Sequence, residues 1–202
     1  MRTFIQELLI AAGLFVAVFL VLHFSIRNFR IDGASMHPTL IDEQHVIVSK
    51  AAYFRVNASS LLHFMPSVER TDERVPFFAS AQPAYGDIIA FTYPLNPSLD
   101  LVKRVIGLPG DIIEIEQGQV IRNGEALNES YVVNGDRRTS EAVEVPPGSY
   151  YVLGDNRRAS TDSRVWGFVR DEDIIGRAWI SYWPSDRLEF LQPPLSGDLP
   201  FH

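Results

Sequence analysis

A mostly antiparallel β domain behind one N-terminal transmembrane helix is the architecture this sequence predicts. Residues 8–24 (LLIAAGLFVAVFLVLHF) carry no formal charge. Downstream, short alternating runs rich in β-branched residues recur between Gly and Pro turns. No second long helical period accompanies them, which argues against an alternating α/β fold.

The apolar run covers roughly 25 Å as a helix at ~1.5 Å per residue, a little short of the ~30 Å hydrocarbon core unless Phe4 and Ile5 extend it. A cleaved signal peptide is the rival reading. Its apolar region is shorter, however, and only His23-Phe24-Ser25-Ile26-Arg27-Asn28 follows here, with no small-x-small site. A buried core helix is the third. Arg2 lies on one side of the run and Arg27 with Arg30 on the other, so counting charges slightly favours the C-terminal part inside the cell.

Strands are expected at 29–31, 45–49, 87–93, 101–106, 112–116, 120–122, 150–153 and 177–182, with a tight turn at Asn123-Gly124. Three regions result: an anchor over 1–28, a β-rich domain over 29–191 with an irregular insertion at 51–85, and a Pro/Gly-rich tail over 192–202. With hydrophobic residues at 46%, the 202-residue chain can fill one core. Its net charge of −7, without any basic cluster, makes nucleic acid a poor partner. Cysteine is absent, so covalent chemistry here falls to Ser, Thr, Lys or a carboxylate.

Ser35 lies between Gly33 and Pro38, in a turn or at a strand edge. A serine hydroxyl acts as a nucleophile only with a base in reach and donors for the oxyanion, and an ordinary turn serine has neither. Lys103 lies inside an apolar strand, where period-2 alternation groups it with Leu101 and Val105, opposite Val102, Arg104 and Ile106. One of the two adjacent basic residues is thereby pushed toward the core. Burial lowers a lysine pKa and makes it a base, whereas a lysine snorkelling at an edge, with Arg104 paired to a carboxylate, stays charged. In residues 154–167, Asp162 and Arg164 suit a bidentate ion pair, and Ser160 or Ser163 suits a hydrogen bond to a neutral lysine. A solvated charged loop is the alternative.

Gly-Ala-Ser-Met-His-Pro-Thr-Leu (33–40), Gly-Asp-Ile-Ile-Ala-Phe (86–91), Lys-Arg-Val-Ile-Gly-Leu-Pro-Gly-Asp (103–111) and Gly-Asp-Asn-Arg-Arg-Ala-Ser-Thr-Asp-Ser-Arg-Val-Trp-Gly (154–167) resemble, in order, the motifs of bacterial type I signal peptidases, the leader peptidases of serine peptidase family S26. The resemblance covers nearly the whole chain. It implies an antiparallel, barrel-like β fold similar to that of the self-cleaving (LexA-like) repressors. It also implies a membrane-bound endopeptidase that removes signal peptides after Ala-x-Ala sites. By the same resemblance Ser35 is the nucleophile, Lys103 the neutral base and Ser160 the hydroxyl that orients the lysine.

Asp162 and Arg164, with Gly154 and Asp155 in the same motif, are structural in that pattern. The Ser35 backbone N–H forms one oxyanion donor. Some members supply a second from a side-chain hydroxyl two residues earlier; here that position is Gly33, which leaves a backbone group or water. Ile31, Met36, Leu40 and Val102 are expected to line the substrate pockets. Implied partners are secretory preproteins, the lipid bilayer and the secretion translocon, with no cofactor and no metal. The domain is placed on the extracytoplasmic face of the cell membrane, against the charge count. A histidine-based hydrolase using His37, His45 or His63 and a non-catalytic anchored β module are the competing functions.

Overall fold

A computed structural model of the chain describes residues 2–53 and 82–191. The expected insertion falls mostly outside them, as does the tail, and of the former Ala51–Tyr53 forms a single 3-10 turn. The helix α1, Arg2–Ser25, runs for 24 residues. Its side chains from Gln6 to Phe19 are exposed, and Ser25 at its end is half-buried. Among the described residues no helix is long and apolar enough to cross a membrane. The strand β1 (Ile26–Arg30) follows α1 directly and pairs with β2 (His45–Ser49) from Ile26 onward. The β domain therefore starts three residues ahead of the expected boundary, because the ladder takes up the chain as soon as the helix ends.

The remaining strands are β3 (Ile88–Thr92), β4 (Asp100–Gly107), β5 (Ile112–Glu116), β6 (Gln119–Arg122), β7 (Glu125–Ala126), β8 (Ser140–Glu144), β9 (Ser149–Leu153), β10 (Val169–Arg170), β11 (Ile174–Trp183) and β12 (Glu189–Phe190). They form two antiparallel sheets, one ordered β1-β2-β11-β3-β4-β9-β10 with β12 on β11, the other β7-β6-β5-β8. Asn123 and Gly124, with φ of 53° and 85°, make the expected two-residue turn between β6 and β7.

The barrel-like expectation is corrected: no closed barrel forms among the described residues, since β1 pairs with β2 alone. Four antiparallel steps lead from β1 through β2, β11 and β3 to β4, so β1 and β4 point the same way. Phe29 of β1 and Val102 of β4 nonetheless pack in one apolar cluster with Val46, Val48, Ile88 and Ala90. The sheet thus curls until these two edges face each other, and it stops short of joining them.

Both faces of the central strands are covered. On β3, Ile88 and Ala90 enter that first cluster while Ile89 and Phe91 enter a second on the opposite face with Val105, Tyr150 and Val152. A third cluster, including Ile106, Ile113, Val120 and Leu153, joins β4 and β9 to the smaller sheet. This corrects the one-face reading of β4. Lys103 and Arg104 point opposite ways and both are buried, because neither face of the strand meets solvent.

The crossing of β2 and β11 is tight at Gly176, where a Cβ would stand 2.4 Å from the Ser49 carbonyl oxygen. Gly176→Ala must push the two strands apart. A loss of about 2–3 kcal/mol is expected, read as a lower urea midpoint with unchanged slope; an unchanged midpoint would refute the tight packing.

Candidate active site

The turn carrying Ser35 begins at Gly33, whose φ of +92° suits glycine. The Gly33 N–H donates to Asp42 Oδ1 at 2.7 Å, and the Leu40 N–H to the Met36 carbonyl at 2.9 Å. Asn156 grips the turn twice. Its backbone N–H donates to the Ser35 carbonyl (3.0 Å) and its Nδ2 to the Ala34 carbonyl (3.1 Å). Among the described residues the Ser35 N–H has no acceptor. The Gly33 N–H is already committed to a carboxylate, which removes it as an oxyanion donor in this arrangement.

Lys103 projects from β4 to this turn. Its Nζ donates to Ser35 Oγ at 2.9 Å and to the Val102 carbonyl at 3.0 Å, and the residue is 2% exposed. Burial pulls its pKa from 10.5 down to about 8, against the opposing pull of the Asp162 and Asp155 carboxylates. Both carboxylates are held by arginines. Arg104 meets Asp155 in a fork, Nε to Oδ1 at 2.9 Å and Nη2 to Oδ2 at 2.7 Å. Arg164 meets Asp162 likewise, with both contacts at 2.7 Å.

Asp162 also accepts the Gly154 N–H at 3.0 Å and caps the short helix α2 (Ser163–Trp166). At Gly154 a Cβ would stand 2.3 Å from Ser160 Oγ and 2.5 Å from the Ser35 carbonyl oxygen, so only glycine lets the two serines come this close. Ser160 Oγ is buried and has no hydrogen-bond partner among the described residues. It does not bond Lys103, contrary to the expected contact. Ile31, Met36 and Leu40 are buried in the first cluster, Leu40 completely, with the half-buried Val102 packed against them. They form a floor under the turn rather than the walls of an open pocket. Among the histidines, His37 is exposed, His45 packs against Tyr182, and His63 lies outside the described residues.

Sequence reasoning missed the anchorage of this loop to the connection between β7 and β8 of the smaller sheet. Arg157 donates to Glu129 through both terminal nitrogens and to the Gly154 carbonyl at 3.1 Å. Tyr131 donates to Glu129 at 2.8 Å, and the Arg104 guanidinium stands 4.1 Å from the Tyr131 ring centroid. Arg164 Nη1 reaches Asp136 Oδ2 at 2.6 Å. The signal available was indirect: three arginines near apolar strands require carboxylates from elsewhere in the chain, without saying which.

A mostly antiparallel β fold that brings a serine hydroxyl onto a buried amine has the makings of a serine peptidase, a class of hydrolase. The signal peptidase family, peptidase S26, matches residues 1–183. A signal peptidase I of Leptolyngbya laminosa is 38% identical over 193 residues, covering 90% of this chain and 83% of that one. That of Bacillus caldolyticus is 34% identical over 181 residues, covering 83% and 85%. A solved signal peptidase I from Enterococcus faecalis V583 is 35% identical and covers 48% of this chain and 97% of that one, with a TM-score of 0.44. The chain belongs to the signal peptidase family, peptidase S26, and is a serine peptidase.

Replacing Asp162 by Asn removes an anion that favours the Lys103 ammonium and leaves the Arg164 charge less compensated. Both effects lower the lysine pKa. Nitrogen-15 NMR of Nζ is expected to show Lys103 titrating below about 8 in Asp162→Asn, and a rise would show that the carboxylate does not act on the amine.

Proposed function

We propose that this chain is a membrane-bound serine endopeptidase that removes N-terminal signal peptides from exported preproteins, cutting after small-x-small sites with Ser35 and Lys103 as its dyad. The observation that carries the reading is the 2.9 Å hydrogen bond between Lys103 Nζ and Ser35 Oγ, made by a lysine whose pKa burial lowers from 10.5 to about 8. The neutral amine takes the hydroxyl proton as Oγ attacks the scissile carbonyl carbon. The resulting ammonium returns that proton to the leaving amine, and a water deprotonated by the same lysine releases the acyl group. The Ser35 N–H, free of any described acceptor, serves as one oxyanion donor. In this arrangement the Val102 carbonyl, 3.0 Å from Nζ, orients the lysine beside Ser35 Oγ, while Ser160, buried beside Gly154, leaves its hydroxyl unengaged among the described residues.

The substrate binds as an added strand. Its small side chains rest on the floor made by Ile31, Met36, Leu40 and Val102, where burial this complete leaves little depth for large ones. Helix α1 supplies the single-pass anchor of the cell membrane, its uncharged run extending beyond the described side chains. Nine residues separate it from Ser35, which holds the site near the bilayer, with the domain on the extracytoplasmic side where the secretion translocon delivers preproteins.

Cleavage of a purified secretory preprotein, with the product's new N-terminus sequenced, tests the reading. Ser35→Ala and Lys103→Ala are each expected to lower kcat/KM by at least about a thousandfold. In the unmodified enzyme kcat/KM is expected to rise about tenfold per pH unit below 8 and level off above it, as Lys103 loses its proton. A rate that is flat between about pH 6 and 9 would count against a lysine base.

A further inference from the structure

Two unpaired strand edges face each other across the gap in the first sheet. Among the described residues β1 has no partner beyond β2, and β9 pairs with β4 only from Arg104 onward, leaving that side of residues 100–103 open. Side chains hold the edges opposite one another. Phe29 and Val102 share a cluster, Lys103 meets Ser35 at one end, and Arg27 Nη1 lies 3.5 Å from Asp100 Oδ2 at the other. One extended segment between two strands needs a gap of about 9–10 Å, which an Arg and an Asp side chain together can bridge while the backbones stay apart.

Alternation puts Arg27 on the face of Phe29 and Ile31, and Asp100 on the face of Val102. The Arg27 guanidinium stands 5.1 Å from the Phe29 ring centroid. Both charges therefore sit at the mouth of the apolar floor, at the end away from Ser35. Arg27 is also the second residue beyond α1, so the membrane-facing, upstream part of a substrate enters at this end.

We propose, resting on the signal peptidase reading, that Arg27 and Asp100 form a subsite for a charged substrate side chain, of either sign, at the inward-facing position roughly five residues before the scissile bond. In an extended chain every second side chain faces the floor, ~6.6–7 Å apart. The first inward side chain lies at the dyad and the second over Val102. The third comes level with Asp100, two residues before Val102 on the same face of β4. The two side chains are 50% and 27% exposed, and a pair that open holds itself together only weakly. A substrate lysine can displace Arg27 and pair with Asp100; a substrate glutamate can displace Asp100 and pair with Arg27.

Preprotein substrates carrying Ala, Lys or Glu at the fifth position, and a second series varied at the outward-facing fourth, test this with the full-length enzyme at low ionic strength. Arg27→Gln is expected to raise the ratio of kcat/KM for Lys over Glu at the fifth position on the order of tenfold, and Asp100→Asn to lower it by a similar factor. About 0.5 M salt should compress both changes. An unchanged ratio in both variants overturns the proposal, and so does an effect at the fourth position instead of the fifth. Ser35-dependent cleavage of the Ala substrate separates the two readings. If it is present while the ratios stay fixed, only the charge selection fails; if it is absent, the peptidase reading fails and takes the selection with it.

Discussion

Everything around Ser35 follows from the need to bury an amine within the field of two carboxylates and still let it lose its proton near neutral pH. At pH 7 most of an exposed lysine population is protonated, and an adjacent Asp strengthens that preference. Here the preference is weakened: the pKa falls from 10.5 to about 8, with burial the largest cause, so the amine can give up its proton close to neutral pH. The folded pKa lies below the ordinary 10.5, so between these values the unfolded chain binds more protons and stability rises with pH. Below pH 8 the full penalty remains, roughly 3 kcal/mol for a shift of this size. That is a large share of the 5–15 kcal/mol typical of a whole domain.

The arrangement holds because each carboxylate near Lys103 has a guanidinium of its own. Without Arg104 and Arg164, Asp155 and Asp162 would favour the lysine's proton or take up protons themselves, and either outcome would alter the site. Such pairs contribute little net stability over apolar residues of equal volume, yet removing one partner costs about 3–5 kcal/mol. Their value here is positional. Asp162 receives the Gly154 N–H, Arg157 holds the Gly154 carbonyl, and Gly154 packs against both Ser35 and Ser160. Glu129 and Asp136 bring the smaller sheet into the same framework. The connection between β7 and β8, which contributes no residue to the serine–lysine pair, thereby fixes the loop on which the pair rests.

These dependencies explain what was legible in the sequence. Lys103 stood out because a cation interrupts an alternating apolar strand, and Ser35 because Gly33 and Pro38 bracket it. Alternation implied one buried basic residue, since it presumes a sheet with one wet face; coverage of β4 on both sides could not be read from β4 alone. The strands β8 and β12 escaped detection because their side chains are mostly exposed and carry no apolar alternation, and β10 because two residues show no period. Asp162 and Arg164 were legible as neighbours two positions apart. Glu129 and Asp136 were not, since their arginine partners lie more than twenty residues away and a carboxylate on a loop looks the same whether it is solvated or buried against an arginine.

The open edge between β1 and β4 follows from the same economy of contacts. Unpaired strand edges invite aggregation, and most folds cover them or close the sheet. Here the sheet curls far enough for Phe29 and Val102 to share a core, and then stops with only polar side chains bridging the remainder. Backbone pairing across the gap would satisfy those edge groups within the chain and leave no row of donors and acceptors for an added strand. Leaving the gap open keeps the row available beside Ser35, with the Lys103–Ser35 contact spanning it at one end and the exposed Arg27–Asp100 pair at the other. The correction from barrel to open sheet and the proposed mode of substrate binding therefore rest on one geometric fact: the seam that would close the barrel is the seam at whose end the serine and the lysine meet.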